Sequence, residues 1–142
     1  MTKEEIQEQY KALILPESKN PYHFEQVATN LTVEAYNPMC GDKFVLHLEE
    51  NDATITSVHF HGFGCAVSKA STSLMLREIE GKRTAEVIDL CEVFITSLDK
   101  GEAARHFPEG LKVLLELKHF EGRIDCIQLS WKALLEHVKK SL

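Results

Sequence analysis

The stretch Phe60-His61-Gly62-Phe63-Gly64-Cys65 lies where the chain changes from strand patterning to helix patterning. Before it, Thr54 to Phe60 is rich in β-branched residues, which favour strands. After it, apolar residues recur at helical spacing from 66 to 80, and Gly81 fits a C-terminal cap. The two glycines let the backbone bend sharply just before the cysteine. The stretch therefore predicts a strand-to-helix junction that presents Cys65.

Two further strands are predicted upstream of this junction. Leu31 to Tyr36 has the composition of a short strand, and apolar residues alternate with others from Phe44 to Leu48. Glu50-Asn51-Asp52 is typical of a turn, so the strand from 54 to 60 is expected to return antiparallel. Ile55 is out of step with the later apolar residues of its strand, which predicts a β-bulge or burial on both faces.

The rest of the chain has helical patterning. A capping box formed by Thr2 and Glu5 predicts a helix from about 3 to 14, which Pro16 is expected to end, with a loop from 17 to 22. Further helices are predicted at 84 to 98, 101 to 107, 109 to 120 and from just after Cys126. We therefore predict a single α+β domain over residues 1–142, a small antiparallel sheet of about three strands with helices packed on it.

Composition narrows the class of function. The chain has 142 residues, of which 44% are hydrophobic and 27% charged, as in an ordinary globular domain. The net charge of −6 argues against nucleic acid or an anionic membrane as the partner. The acidic N-terminus, Met1 to Glu5, lacks the apolar stretch of a secretory signal, so a cytoplasmic location is expected. In that compartment, four cysteines favour metal binding, reactivity or burial over disulfides.

Three of the cysteines lie at breaks between predicted elements. Cys40 lies in Asn37-Pro38-Met39-Cys40-Gly41-Asp42, and Cys126 ends Arg123-Ile124-Asp125-Cys126. Cys65 and Cys126 each precede a predicted helix, whose free amide donors are expected to lower the pKa of a thiol. Three thiolates and the Asp42 carboxylate make the four ligands that a tetrahedral zinc site needs. The wide spacing of the cysteines is by itself a weak metal signal.

Simpler interpretations stand beside this one. His59 and His61 share strand parity and precede Cys65, so they are alternative ligands to Asp42, which is otherwise a plain turn residue. Cys91 lies on the apolar stripe of its predicted helix and is expected to be a buried structural cysteine. The remaining histidines show no clustering along the chain and are expected to be solvated: His23, His47, His106, His119 and His137.

The sequence resembles the U-type family of iron–sulfur cluster scaffolds, and within it the SufU type. The resemblance rests on Asn-Pro-x-Cys-Gly-Asp at 37–42, Phe-x-Gly-x-Gly-Cys-Ala-x-Ser at 60–68, and Arg-x-x-Cys with Leu-x-Trp-x-Ala-Leu at 123–134. It covers almost the entire chain. It implies a zinc-dependent protein that accepts persulfide sulfur from a PLP-dependent cysteine desulfurase and serves downstream cluster-assembly proteins. It also implies the zinc ligands, which are Cys40, Asp42, Cys65 and Cys126.

The chain departs from the neighbouring IscU type in three ways. Asp125 stands where that type has a histidine before its last cysteine, and the Pro-Pro-Val stretch upstream is absent. An extra segment lies within roughly 98 to 122. These differences favour sulfur transfer over cluster building.

A mechanism follows from the implied ligands. Cys40 lies on a predicted loop, so it is expected to leave zinc when a partner ligand, such as a desulfurase histidine, takes its place, and then to attack the persulfide. Arg123 is expected to offset the negative charge or guide the released thiolate, unless it only pairs with Asp125. Two other functions stay open: a scaffold that assembles an iron–sulfur cluster on the same cysteines, and a purely structural zinc domain.

Overall fold

The computed structural model describes residues 2–100, 107–120 and 123–140. These residues form a three-stranded antiparallel sheet with helices packed against it, which confirms the predicted α+β fold. The elements are α1 (Lys3–Gln9), a π-helical turn (Tyr10–Ile14), α2 (Leu15–Lys19), β1 (Leu31–Asn37), β2 (Asp42–Asn51), β3 (Thr54–Phe63), α3 (Ala66–Ile79), α4 (Thr84–Lys100), α5 (Glu109–Leu117) and α6 (Arg123–Lys140). None of the described helices combines the length and the apolar character that a membrane-spanning segment needs.

The sheet is a meander in the order β1-β2-β3, with one face against the helices. Val33 pairs with Leu46, and Leu46 with Phe60, and all three are buried. Side chains alternate between the faces of a strand, so the intervening residues lie on the outer face. His47 and its cross-strand neighbour His59 are on that outer face.

The predicted bulge is confirmed in β3. Ser57 pairs with Glu49 and Ile55 pairs with Glu50, so Thr56 is the extra residue. The extra residue shifts the alternation by one position. Ile55 and Val58 are therefore both fully buried although their parity in the sequence differs.

The helical layer is held by an aromatic cluster around Trp131. Its ring stacks on Phe94 with centroids 4.0 Å apart, and its indole Nε1–H donates to Ser71 Oγ at 3.0 Å. Trp131 is fully buried, and its one polar atom is paired, as burial requires. Cys91 is also fully buried, and burial raises the pKa of its thiol to about 12. The prediction that Cys91 is a structural cysteine is confirmed.

The prediction that Pro16 ends the first helix is wrong. The chain stays helical to Lys19, because a π-helical turn over Tyr10–Ile14 precedes the proline. In that turn the amide of Leu15 bonds the carbonyl of Tyr10, five residues back. A wider turn makes room for a proline ring that has no amide to donate and would otherwise crowd the preceding turn.

The start of the last helix was also predicted too late. Helix α6 includes Arg123, so Cys126 lies inside its first turn rather than before it. Asp125 in that turn interacts favourably with the helix dipole, and nothing in this stretch breaks a helix. The short helix predicted at 101 to 107 lies almost entirely outside the described residues, although Phe107 is described and buried.

Candidate metal centre

Cys40 lies in the hairpin that joins β1 to β2. The hairpin closes where Asn37 pairs with Asp42, and the Gly41 amide donates to the Asn37 carbonyl at 2.8 Å. Gly41 has a φ of +75°, in the left-handed region that favours glycine. The Met39 amide donates to Asn37 Oδ1 at 3.0 Å. The turn leaves Cys40 exposed while Asp42, two residues on, is 5% exposed.

Cys65 is the N-cap of α3, as the sequence predicted. Its sulfur accepts a hydrogen bond from the Ser68 amide at 3.4 Å, and the thiol donates to Ser68 Oγ at 3.4 Å. Its own amide donates to Asp42 Oδ1 at 3.3 Å. This bond joins the start of β2 to the start of α3. Cys65 is therefore held at a junction of two elements, in contrast to Cys40 on its turn.

Three of the expected ligands come together. The Cys40 sulfur, a carboxylate oxygen of Asp42 and the Cys126 sulfur all lie within 4.8 Å of one another. No other such group of three is found within the described residues. Ligands around a tetrahedral zinc with bonds of about 2.3 Å are about 3.8 Å apart, so small side-chain movements would bring these atoms onto one ion. Cys65 adjoins the group through a side-chain hydrogen bond with Cys126.

One oxygen of the Asp42 carboxylate lacks a hydrogen-bond donor among the described residues. Its Oδ2 is buried and has no hydrogen-bond partner within the described part of the chain. A buried carboxylate oxygen without a donor is costly unless a cation binds it. This oxygen and the sulfur atoms of Cys40 and Cys126 could all bind the same cation. The donor set therefore fits a bound cation.

The expectation that the helix N-terminus lowers the pKa of Cys126 is wrong for the metal-free chain. Burial raises that pKa to about 12, reinforced by the hydrogen bond with Cys65 and by the negative charges of Cys65, Asp42 and Cys40. A thiolate here would face other anions at close range, which outweighs a partial helix charge. A divalent cation reverses this balance, because a coordinating thiol is deprotonated outright. Sulfur-rich donors of this kind suit Zn²⁺, and also iron–sulfur clusters.

Arg123 begins α6 one turn before Cys126. It lines a cleft between this helix and the N-terminal helix, together with residues that are mostly apolar: Ile6, Gln7, Tyr10, Leu117 and Phe120. The same helix therefore brings Arg123 and Cys126 to one end of the fold. Its guidance of a released thiolate stays a prediction.

The histidines lie elsewhere. His61 and His59 are on the outer face of the sheet, and the group within 4.8 Å contains neither. The prediction that the other histidines do not cluster is wrong for His23 and His47, and His47 is also buried, at 6% exposure, rather than solvated. His23 stacks on His59 with ring centroids 4.9 Å apart, and His47 hydrogen-bonds His61. Strand pairing and the bridge between Phe24 and Phe60 create this cluster, which spacing along the chain does not reveal.

An apolar rim near the cysteines was missed at the level of sequence. Among the described residues, the large apolar side chains exposed to solvent include Tyr36, Met39, Phe63 and Ile124. Met39 is 92% exposed and is adjacent to Cys40 in the chain. Phe63 lies two residues before Cys65, and Ile124 lies two residues before Cys126. Exposed apolar side chains clustered at a reactive centre are typical of a protein-binding surface.

Comparison with known proteins agrees with this architecture. Residues 9–109 match the NifU-like N-terminal domain. A Thermotoga maritima relative, iron–sulfur cluster assembly scaffold protein IscU, is 35% identical over 111 residues, 75% of each chain. The Bacillus subtilis zinc-dependent sulfurtransferase SufU is 30% identical over 132 residues, 92% of this chain and 90% of that protein.

A solved structure shows the same fold. The crystal structure of a SufU from Fervidobacterium islandicum, described as a cluster assembly scaffold protein for the SUF system, superposes with a TM-score of 0.75. The match covers 89% of this chain and 94% of that one at 27% identity. The chain belongs to the NifU-like N-terminal domain family, the U-type scaffold family of iron–sulfur cluster assembly.

Proposed function

We propose that this protein transfers sulfur for iron–sulfur cluster assembly, with Cys40 as the sulfur acceptor. The donor is a PLP-dependent cysteine desulfurase, and downstream cluster-assembly proteins receive the sulfur. The observation that carries the proposal is the contrast between Cys40, which is exposed on a turn, and the groups beside it, the buried Asp42 and the partly buried Cys65 and Cys126. The function places the protein in the cytoplasm, where thiols are kept reduced.

The chemistry is an exchange between sulfur atoms. The Cys40 thiolate attacks the outer sulfur of the desulfurase persulfide, a new S–S bond forms at Cys40, and the enzyme's S–S bond breaks. The enzyme cysteine leaves as a thiolate and takes the electron pair, so no external oxidant or reductant is needed. The exposure of Cys40 permits this attack, because a second protein must bring its persulfide into line with the sulfur.

The residues that would hold zinc are Cys40, Asp42, Cys65 and Cys126. Zinc bound there would keep the thiols deprotonated at neutral pH without oxidising them. The protein's own contribution is positional. The Cys65 cap and its bond to Asp42 fix one side of the centre, and the hairpin presents Cys40 to solvent on the other side. Arg123 would attract the negatively charged persulfide towards the mouth of the site.

The apolar rim supports a protein donor rather than a free small molecule. Met39 and Phe63 are largely exposed, and such side chains gain free energy only when another surface covers them. Soluble sulfide or a small persulfide would leave them in water. The rim is therefore suited to dock the desulfurase around Cys40.

A scaffold function is the second candidate. The Thermotoga maritima relative is a scaffold protein, and thiolate ligands also suit a [2Fe–2S] or [4Fe–4S] cluster. In that case the cluster would be cargo that assembles on the same cysteines and is passed to an apoprotein.

One experiment separates the two. Freshly purified protein is analysed for metal and then incubated with a cysteine desulfurase and cysteine, followed by mass spectrometry without reductant. We expect a colourless protein with about one zinc per chain and a mass increase of one sulfur atom on Cys40. A brown protein that takes up no sulfur but donates a cluster to an apoprotein would contradict the proposal and favour the scaffold.

Asp42→Asn should weaken zinc binding without destabilising the metal-free chain. The amide keeps the shape of the side chain but removes the negative charge that has no partner at Oδ2. We expect a loss of zinc affinity on the order of tenfold or more, measured by competition with a chelator. Urea unfolding in excess chelator should show no loss of stability.

Asp125→Asn is the matched control, since Asp125 is exposed in the first turn of α6 beside Cys126. It should bind zinc like the unmodified protein. If Asp42→Asn lowered stability in chelator and left zinc affinity unchanged, Asp42 would be a turn residue and not a ligand.

A further inference from the structure

The outer face of the sheet carries three histidines from two adjacent strands. His47 on β2 pairs directly with His59 on β3, and His61 follows two residues later on the same strand. Residues two apart on a strand share a face, and directly paired residues share it too. We call this group the histidine patch. It contains no cysteine and lies on the face opposite the helices.

His47 and His61 are in direct contact. His47 Nε2 and His61 Nδ1 are 2.8 Å apart, and the two rings are nearly parallel, at 9°. His47 is only 6% exposed. Burial, followed by the charges of His61 and His59, lowers the pKa of His47. Its imidazole is therefore neutral at physiological pH, which is the form that binds metals.

His59 has one nitrogen near a carboxylate and one without a partner. Its Nε2 lies 3.7 Å from Glu25 Oε1, while its Nδ1 is buried and unpartnered within the described residues. A histidine that ligates a metal through one nitrogen usually directs the other to a carboxylate. His59 thus has the surroundings that are typical of a metal-ligating histidine.

We propose that the histidine patch is a second, cysteine-free binding site for Zn²⁺ or a similar divalent transition metal. His47 Nε2 and His61 Nδ1 bind the ion, and His59 adds a third imidazole. Imidazole is a good ligand for zinc, nickel, copper and iron. Three histidines leave a fourth tetrahedral position open to water.

The imidazole rings of the histidine patch need to move only modestly to bind one ion. Nitrogens on a tetrahedral ion with bonds of about 2.0–2.1 Å are about 3.3 Å apart, so the 2.8 Å pair opens by about half an ångström. The proton shared by the pair moves to the other nitrogen of the ring that carried it, and no net proton is released. Within the described residues the three imidazoles are not gathered inside 4.8 Å, so His59 joins by rotating its ring.

The site is independent of the proposed function. The parity of the strands places the histidine patch on the outer face, whereas Asp42 shares the inward parity of Phe44. Metal binding at the patch therefore does not depend on what the cysteines hold.

The test is a calorimetric titration of Zn²⁺ into purified protein that already carries its resident metal. We expect the wild-type chain to bind one more ion than the His61→Gln and His47→Gln variants. His119→Gln is the matched control, because His119 is an exposed histidine on another part of the surface, and it should bind like the wild type. His59→Gln should bind the extra ion on the order of tenfold more weakly.

Imidazole nitrogen NMR during the same titration should show shifts at His47 and His61 and none at His119. His61→Gln is the decisive variant, because His61 is less buried than His47 and its replacement keeps a hydrogen-bonding side chain. If His61→Gln bound the additional ion with wild-type affinity, or if the wild type bound no additional ion, the proposal would be overturned. If His59→Gln bound the additional ion with wild-type affinity, His59 would not be the third ligand.

Discussion

Cys40→Ala is expected to reduce sulfur uptake from a cysteine desulfurase to background while the fold stays intact. Alanine cannot form a persulfide, and Cys65 and Cys126 are both partly buried and hydrogen-bonded to each other. Cys40 is exposed on a hairpin turn, so its replacement should change the free energy of unfolding in chelator by no more than about 0.5 kcal/mol. Mass spectrometry after incubation with the desulfurase measures the uptake, and urea unfolding measures the stability.

Two control variants test whether Cys40 acts as the nucleophile or only as a metal ligand. Cys126→Ala removes another candidate metal ligand but keeps Cys40. It therefore shows how the loss of metal alone affects sulfur uptake. Met39→Ala leaves every thiol in place but removes the most exposed apolar side chain near the centre. It should slow sulfur transfer at low protein concentration and leave the final uptake unchanged. Sulfur found on Cys65 or Cys126 of Cys40→Ala would show that Cys40 is not the acceptor.

The sequence was informative where local chemistry determines structure. Cys65 ends a glycine-containing strand and begins a helix, and the structure places it at the N-cap of α3. The out-of-step Ile55 indicated the bulge in β3, since a shift in parity needs one extra residue. Local signals also marked the four expected ligands, of which Cys40, Asp42 and Cys126 lie together in the fold, while their role in binding zinc stays a prediction. Each lies next to a glycine or at the start of a helix.

The sequence was less informative where distant segments determine structure. The histidine patch depends on the register between β2 and β3, so His47 and His61 are 14 residues apart in the chain and in contact in the fold. The raised pKa of Cys126 has the same origin, because its causes are burial and groups from other segments. At Pro16, a local rule failed because a π-helical turn upstream relieved the crowding on which the rule rests.

Gly62→Ala is expected to be the most destabilising small substitution in the sheet. Gly62 has a φ of +135°, and a Cβ there would lie 2.1 Å from the Lys43 carbonyl oxygen and 2.8 Å from Phe44 Cα. Both contacts are backbone atoms of β2, so only separation of the two strands relieves them. We expect a loss of about 3 to 5 kcal/mol in the free energy of unfolding, measured by urea denaturation in chelator.

The same substitution should also disturb the candidate metal centre. Lys43 and Phe44 directly follow Asp42, and Gly62 precedes Cys65 by three residues. Strand separation therefore strains the 3.3 Å bond from the Cys65 amide to Asp42, and zinc affinity should fall with stability. Gly81→Ala is the matched control, because Gly81 has a φ of +83° but a Cβ there would meet no atom within 4 Å. It should cost only about 1 kcal/mol of backbone strain. Equal losses in the two variants would mean that backbone conformation, and not the approach of β2 to β3, makes glycine necessary at position 62.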